Sequence, residues 1–111
     1  MKRIEAFIQP HRLDKVVRAL HALPTFPGFT LFEARGQGHG RGAGGHYSYG
    51  SDVGLHYHEH RVLVLCCEDT EADVIANVIV KAAHTGNSGD GIVVVSDIAR
   101  LQRVRDGGGG E

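Results

Sequence analysis

Cysteine is scarce in this sequence: of 111 residues only Cys66 and Cys67 carry thiols, side by side in an apolar run. Adjacent cysteines fit neither zinc-ribbon spacing nor a disulfide framework, so both are read as reduced core residues. Long apolar stretches are missing as well. Met1-Lys2-Arg3 is followed by a short segment broken by Glu5, so neither a signal peptide nor a membrane-spanning helix is expected, and the default location is the cytoplasm. Nor is there an excess of charge: 12 Lys and Arg against 13 Asp and Glu leave a formal net charge of -1 with His neutral. Without a basic stripe there is no broad electrostatic footprint for nucleic acid, and direct DNA binding is disfavoured.

What is present is mostly ordinary. Apolar residues make up 41% and charged residues 23%, which places the chain among soluble globular proteins and outside the disordered class. The length suits one compact domain, taken here as residues 1–106, with 107–111 a disordered glycine tail. The exception is histidine. Eight imidazoles is unusual for this length; they titrate near neutral pH and raise the prior for metal.

Ile4, Ala6 and Ile8 alternate with Arg3, Glu5 and Phe7 and stop at Pro10, the pattern of a first strand. Leu13, Val16, Val17, Leu20 and Leu23 then recur at helical spacing, with Arg12, Asp14, Lys15 and Arg18 turned outward. Phe29 to Arg35 reads as a second strand after the Pro27-Gly28 turn. Glycines at 36, 38, 40, 42, 44, 45, 50 and 54 cannot offset their ordering entropy by core burial, and predict a long mobile loop, which inside a compact domain is usually functional.

The unbroken run Val62 to Cys67, within a strand over His60 to Cys67, suits a central strand buried on both faces. A helix is expected from Thr70, with Asp73 as a capping-box-like partner and a stripe of Ala72, Ile75, Val78, Ile79 and Ala82. Thr85 to Gly91 is a second glycine-bearing loop, Ile92 to Val95 another doubly buried strand, and Ala99 to Arg105 a short final one. The order is the split βαββαβ pattern of an α+β, ferredoxin-like domain, with a long glycine-rich loop between its second and third strands. Both helices lie on one sheet face in that architecture. Strands apolar on both sides therefore call for a second copy over the other face, and a trimeric assembly is expected.

The glycines of Thr85-Gly86-Asn87-Ser88-Gly89-Asp90-Gly91 allow backbone N–H groups to approach a phosphate, and the guanidinium forks of Arg100, Arg103 and Arg105 suit phosphate recognition. An ordinary turn and a solvated, charged strand edge are the bland alternatives. Three separated segments decide between them. Lys2-Arg3-Ile4-Glu5-Ala6-Phe7-Ile8-Gln9-Pro10 with Leu13-Asp14, then Gly36-x-Gly38, then Ala83-His84-Thr85-Gly86-x-x-Gly89-Asp90-Gly91 with Arg103-Val104-Arg105, resemble in order the P-II nitrogen-regulatory family along nearly the whole chain.

The resemblance implies a homotrimer with ATP or ADP in each inter-subunit cleft, and a regulatory loop over residues 36–58 that engages a target membrane transporter or enzyme. It assigns Gly36 and Gly38 to the loop base, Thr30 to the adenine, Gly89, Asp90 and Gly91 to the phosphates, and Arg103 and Arg105 to the neighbouring subunit's contribution. Departures are also visible. Ile92 and Asn87 stand where the family pattern has lysine, and Gly40 where it has the glutamine that helps hold magnesium and 2-oxoglutarate. Weak or absent 2-oxoglutarate sensing and a preference for ADP or AMP over MgATP follow. Tyr47 and Tyr49 lie in the long loop without the sequence that usually surrounds the modifiable tyrosine, so uridylylation is not expected.

His56, His58 and His60 lie two apart, so in an extended chain their rings share one face and could hold Zn²⁺ or Cu²⁺, with His39 and His46 nearby in sequence. A metal-binding trimer linked to metal tolerance or efflux is thus the alternative to a nucleotide-binding regulator. An enzyme ranks last, because no nucleophile, base and orienting group can be assembled from these residues.

Overall fold

The computed structural model describes residues 1–37 and 57–107. Its elements are β1 (Lys2–Ile8), α1 (Leu13–His21), β2 (Thr30–Gly36), β3 (His58–Cys67), α2 (Asp69–Ala83) and β4 (Gly91–Asp97), with one-turn helices at Pro10–Arg12 and Val104–Asp106. This is the α+β, ferredoxin-like βαββαβ order. The four strands form one antiparallel sheet in the order β2-β3-β1-β4. Neither described helix is long and apolar enough to cross a membrane.

Alternation along the strands divides the side chains between two faces. Ile4, Ala6 and Ile8 of β1 are in register with Leu65, Leu63 and Arg61 of β3, and all but Arg61 pack beneath the helices with Cys67. Against them α1 lays Val16 and Leu20, and α2 lays Ala72, Ile75, Ile79 and Ala83, a stripe spaced three and four residues apart. Every one of these residues is at most 6% exposed, so one chain completes this core alone.

Among the described residues no layer covers the opposite face. Phe32, Val62, Phe7 and Ile92 form a row across all four strands, and the next row is Thr30, Val64, Glu5 and Val94. Phe32 remains 52% exposed and Ile92 61%. Glu5 and Arg3, both on this face of β1, pair with each other at 3.2 Å.

Some sequence expectations need correction. β4 is an edge strand, and so is not buried on both sides within one chain. α2 begins at Asp69, not at Thr70 with a capping box: its N-cap Glu68 makes no side-chain cap bond, while Asp69 pairs with the Met1 amino group at 2.7 Å. Arg12 does not simply face solvent. Its Nε and Nη2 donate to the Ala82 carbonyl at 3.2 and 2.7 Å, satisfying an acceptor in the last turn of α2 and tying that turn to the start of α1. Residues 99–105 form no strand. Ile98 N–H donates to the Met1 carbonyl as the last link of the β1–β4 ladder.

Candidate functional site

α2 ends at Ala83 and β4 begins at Gly91, and the loop between them is organised by one carboxylate. Asp90 accepts hydrogen bonds from the Thr85 hydroxyl, from Thr85 N–H at 2.7 Å and from Gly86 N–H at 2.9 Å. Asn87 N–H donates to Thr85 Oγ1 at 3.2 Å, and Gln9 Nε2 reaches across from the end of β1 to the Gly89 carbonyl at 2.9 Å. The loop is therefore fastened both to itself and to the neighbouring strand. The Thr85 hydroxyl first, then its N–H and that of Gly86, hold the Asp90 carboxyl below the usual carboxylate range.

Gly91 could not be another residue. Its φ is +110°, and a Cβ there would lie 1.7 Å from the Phe7 carbonyl oxygen. The chain leaves the loop and joins the sheet only because that atom is missing. Beside the junction is a cleft of about 170 Å³, lined by β1, the end of α2, the loop and the start of β4. Its walls are Phe7, Ile8, Val80, Ile92 and Val93, and its rim is His84, Asp90 and Gly91.

The structure brings together only part of the set named from sequence. Gly89, Asp90 and Gly91 share the loop. Gly36 lies at the same end of the sheet but on β2, the far edge, three strand spacings or about 14 Å across from β4. Thr30, also on β2, sits opposite Val64. Arg103 and Arg105 are exposed in and beside the terminal turn, with no hydrogen bond or ion pair to the loop among the described residues. Gly38 lies outside the described residues.

The metal set is not supported. His58 and His60 occupy one face of β3, opposite Gly36 and Ala34, while His56, with His39 and His46, lies outside the described residues. Among the described residues no three His, Cys, Asp or Glu side chains are grouped to hold a metal ion. Three participants were not singled out from sequence: Gln9, Thr85 and His84. Gln9 directly precedes Pro10 where β1 stops, and Thr85 and His84 open the loop at the helix end; only these positions hinted at them.

One chain thus presents an antiparallel βαββαβ sheet covered by helices on one face, with an Asp-braced glycine loop leading into its edge strand. The model of the family described as nitrogen regulatory protein P-II matches residues 1–108, and the chain belongs to that family. It is 34% identical to a nitrogen regulatory protein P-II of Microchaete diplosiphon over 96% of this chain and 94% of the relative. It is 33% identical to nitrogen regulatory protein P-II 2 of Methanothermobacter thermautotrophicus over 100% and 95%. Nitrogen regulatory protein P-II 1 of Escherichia coli K12 is 34% identical over 96% and 94%. These relatives are regulatory proteins, and the chain stands with regulators and not with enzymes.

Proposed function

We propose that the chain is a signal-transducing regulator that assembles as a homotrimer through its open sheet face and binds an adenine nucleotide between subunits. The observation that carries this reading is the division of the site within one chain. The braced loop with Gly89, Asp90 and Gly91 lies at the β4 edge, Gly36 and Thr30 lie at the β2 edge, and Arg103 and Arg105 project unpaired with either. Only apposition of copies can bring these groups to one ligand, and the uncovered row Phe32, Val62, Phe7 and Ile92 supplies the apolar surface for it. Gly38 completes the loop base. Occupancy by ATP, ADP or AMP then biases the segment 36–58, which is read by a target transporter or enzyme.

The test combines light scattering with calorimetric titration of ATP, ADP and AMP. A trimeric mass and one nucleotide per subunit are expected, with Arg103→Ala costing about 1.5–3 kcal/mol of affinity, the range for hydrogen bonds to charged groups. A monomeric mass at micromolar concentration, or unchanged affinity in the variant, overturns the reading.

A further inference from the structure

Of the residues that line the cleft beside the loop, six are apolar and one is Gly91; only His84 and Asp90 are ionisable. Ile92, next to Gly91, adds an exposed hydrocarbon, not a cation, to the cleft wall. Asp90 is a standing negative charge there, since its carboxylate is engaged by Thr85 and Gly86 donors. His84 Nδ1 lies 3.7 Å from Asp90 Oδ2, and the ring is 69% exposed, free to turn toward the cleft. It caps the C-terminal end of α2, where a positive charge is favoured by the helix dipole.

We propose that His84 makes phosphate binding at this cleft depend on pH: the imidazolium, paired with Asp90, cancels the loop's negative charge, and the neutral ring leaves that charge opposed to the ligand. The inference rests on the reading of the cleft as the nucleotide site. The charged groups around His84 support the assignment. Lys81 lies one turn back on α2 and is exposed, and Arg12 is engaged with the Ala82 carbonyl. The β1 and β4 side chains that line the cleft carry no charge. From this chain, the local balance at the loop therefore shifts from -1 to 0 when one imidazole protonates. The lowered carboxyl of Asp90 keeps its negative charge constant over that interval.

The test is calorimetric titration of ADP into wild type, His84→Gln and His84→Lys at about pH 6 and about pH 8, which bracket the imidazole range. ADP's own terminal phosphate protonates over the same interval, so each affinity ratio is divided by that of His84→Gln, which shares the ligand effect and lacks the switch. The corrected wild-type ratio is expected to favour the acidic condition by about threefold to tenfold, the size of one screened charge a few ångströms from a phosphate. His84→Lys, with a permanent cation, is expected to bind ADP more tightly than wild type at pH 8 and to show no corrected pH dependence. Equal ratios in wild type and His84→Gln overturn the role of His84 and leave the nucleotide site standing. No ADP binding by any variant at either pH overturns both.

Discussion

The two faces of the sheet are built from the same strands, one residue out of phase, and are treated differently. Ile4, Ala6, Ile8, Leu63 and Leu65 are sealed by α1 and α2 within one chain, whereas Phe32, Ile92 and Val94 are at least 38% exposed. Val62 shows the boundary: it belongs to the open row, lies outside the helix-covered cluster, and is nevertheless only 6% exposed between Phe7 and Phe32. The covered face specifies the fold of one chain. The open face holds apolar area that the described residues leave exposed, and in the proposed trimer its burial energy enters only with concentration.

The sharpest way to break this contrast is at the junction of loop and sheet. Gly91→Ala places a Cβ against the Phe7 carbonyl and forces an L residue into positive φ, and is expected to cost more than about 4 kcal/mol, in the range reserved for severe backbone conflict. A urea midpoint equal to wild type would show that β1 and β4 can separate there. Next is Leu63→Ala on the covered face, expected to lose about 2–5 kcal/mol, with the loss persisting at protein concentrations too low for assembly.

Phe32→Ser on the open face is expected to behave in the opposite way. Stability of the dilute chain should change by no more than about 0.5 kcal/mol, as for surface substitutions, while the concentration dependence of the thermal midpoint disappears. If Phe32→Ser instead destabilises the dilute chain as Leu63→Ala does, the two faces are not separate in function.

The smallest effect concerns the loop that joins the layers. The folded carboxyl of Asp90 lies below its usual range, so its contribution is fully present above the unfolded carboxylate value and is lost as pH falls through the lower, folded value. Asp90→Asn is therefore expected to be less stable than wild type at neutral pH, with the difference closing at the acid end of a series of urea melts. A difference that stays constant with acidification would remove the carboxylate from the argument.

Much of this was legible in the sequence, for identifiable reasons. The spacing of Ala72, Ile75 and Ile79 and the alternation in β1 report directly on which side is apolar, and these gave the element order, although the buried stripe of α2 closes on Ala83 where Val78 and Ala82 were expected. Apolar runs do not report what covers a face, so Ile92 to Val95 read as a doubly buried strand although Ile92 and Val95 are 61% and 42% exposed in one chain. Likewise, Ala99 to Arg105 read as a short strand, but strands need partners, and the ladder with β1 runs no further than the Ile98–Met1 link. At the site, the glycines and Asp90 were visible as a pattern. The role of Gln9 was not, because a hydrogen bond between residues 80 apart has no local signature.

The strand order carries a further consequence, for the time course of folding. β1 is made first, yet it occupies the interior of the sheet, and its partners are β3 at residues 58–67 and β4 at 91–97. Translation therefore delivers the central strand about 50 residues before either neighbour exists, and every ladder it joins is a long-range closure. Folding cannot proceed by adding finished pieces from the N-terminus. The seven residues of β1, apolar on the face that Ile4, Ala6 and Ile8 share, wait until residues 91–97 have left the ribosome.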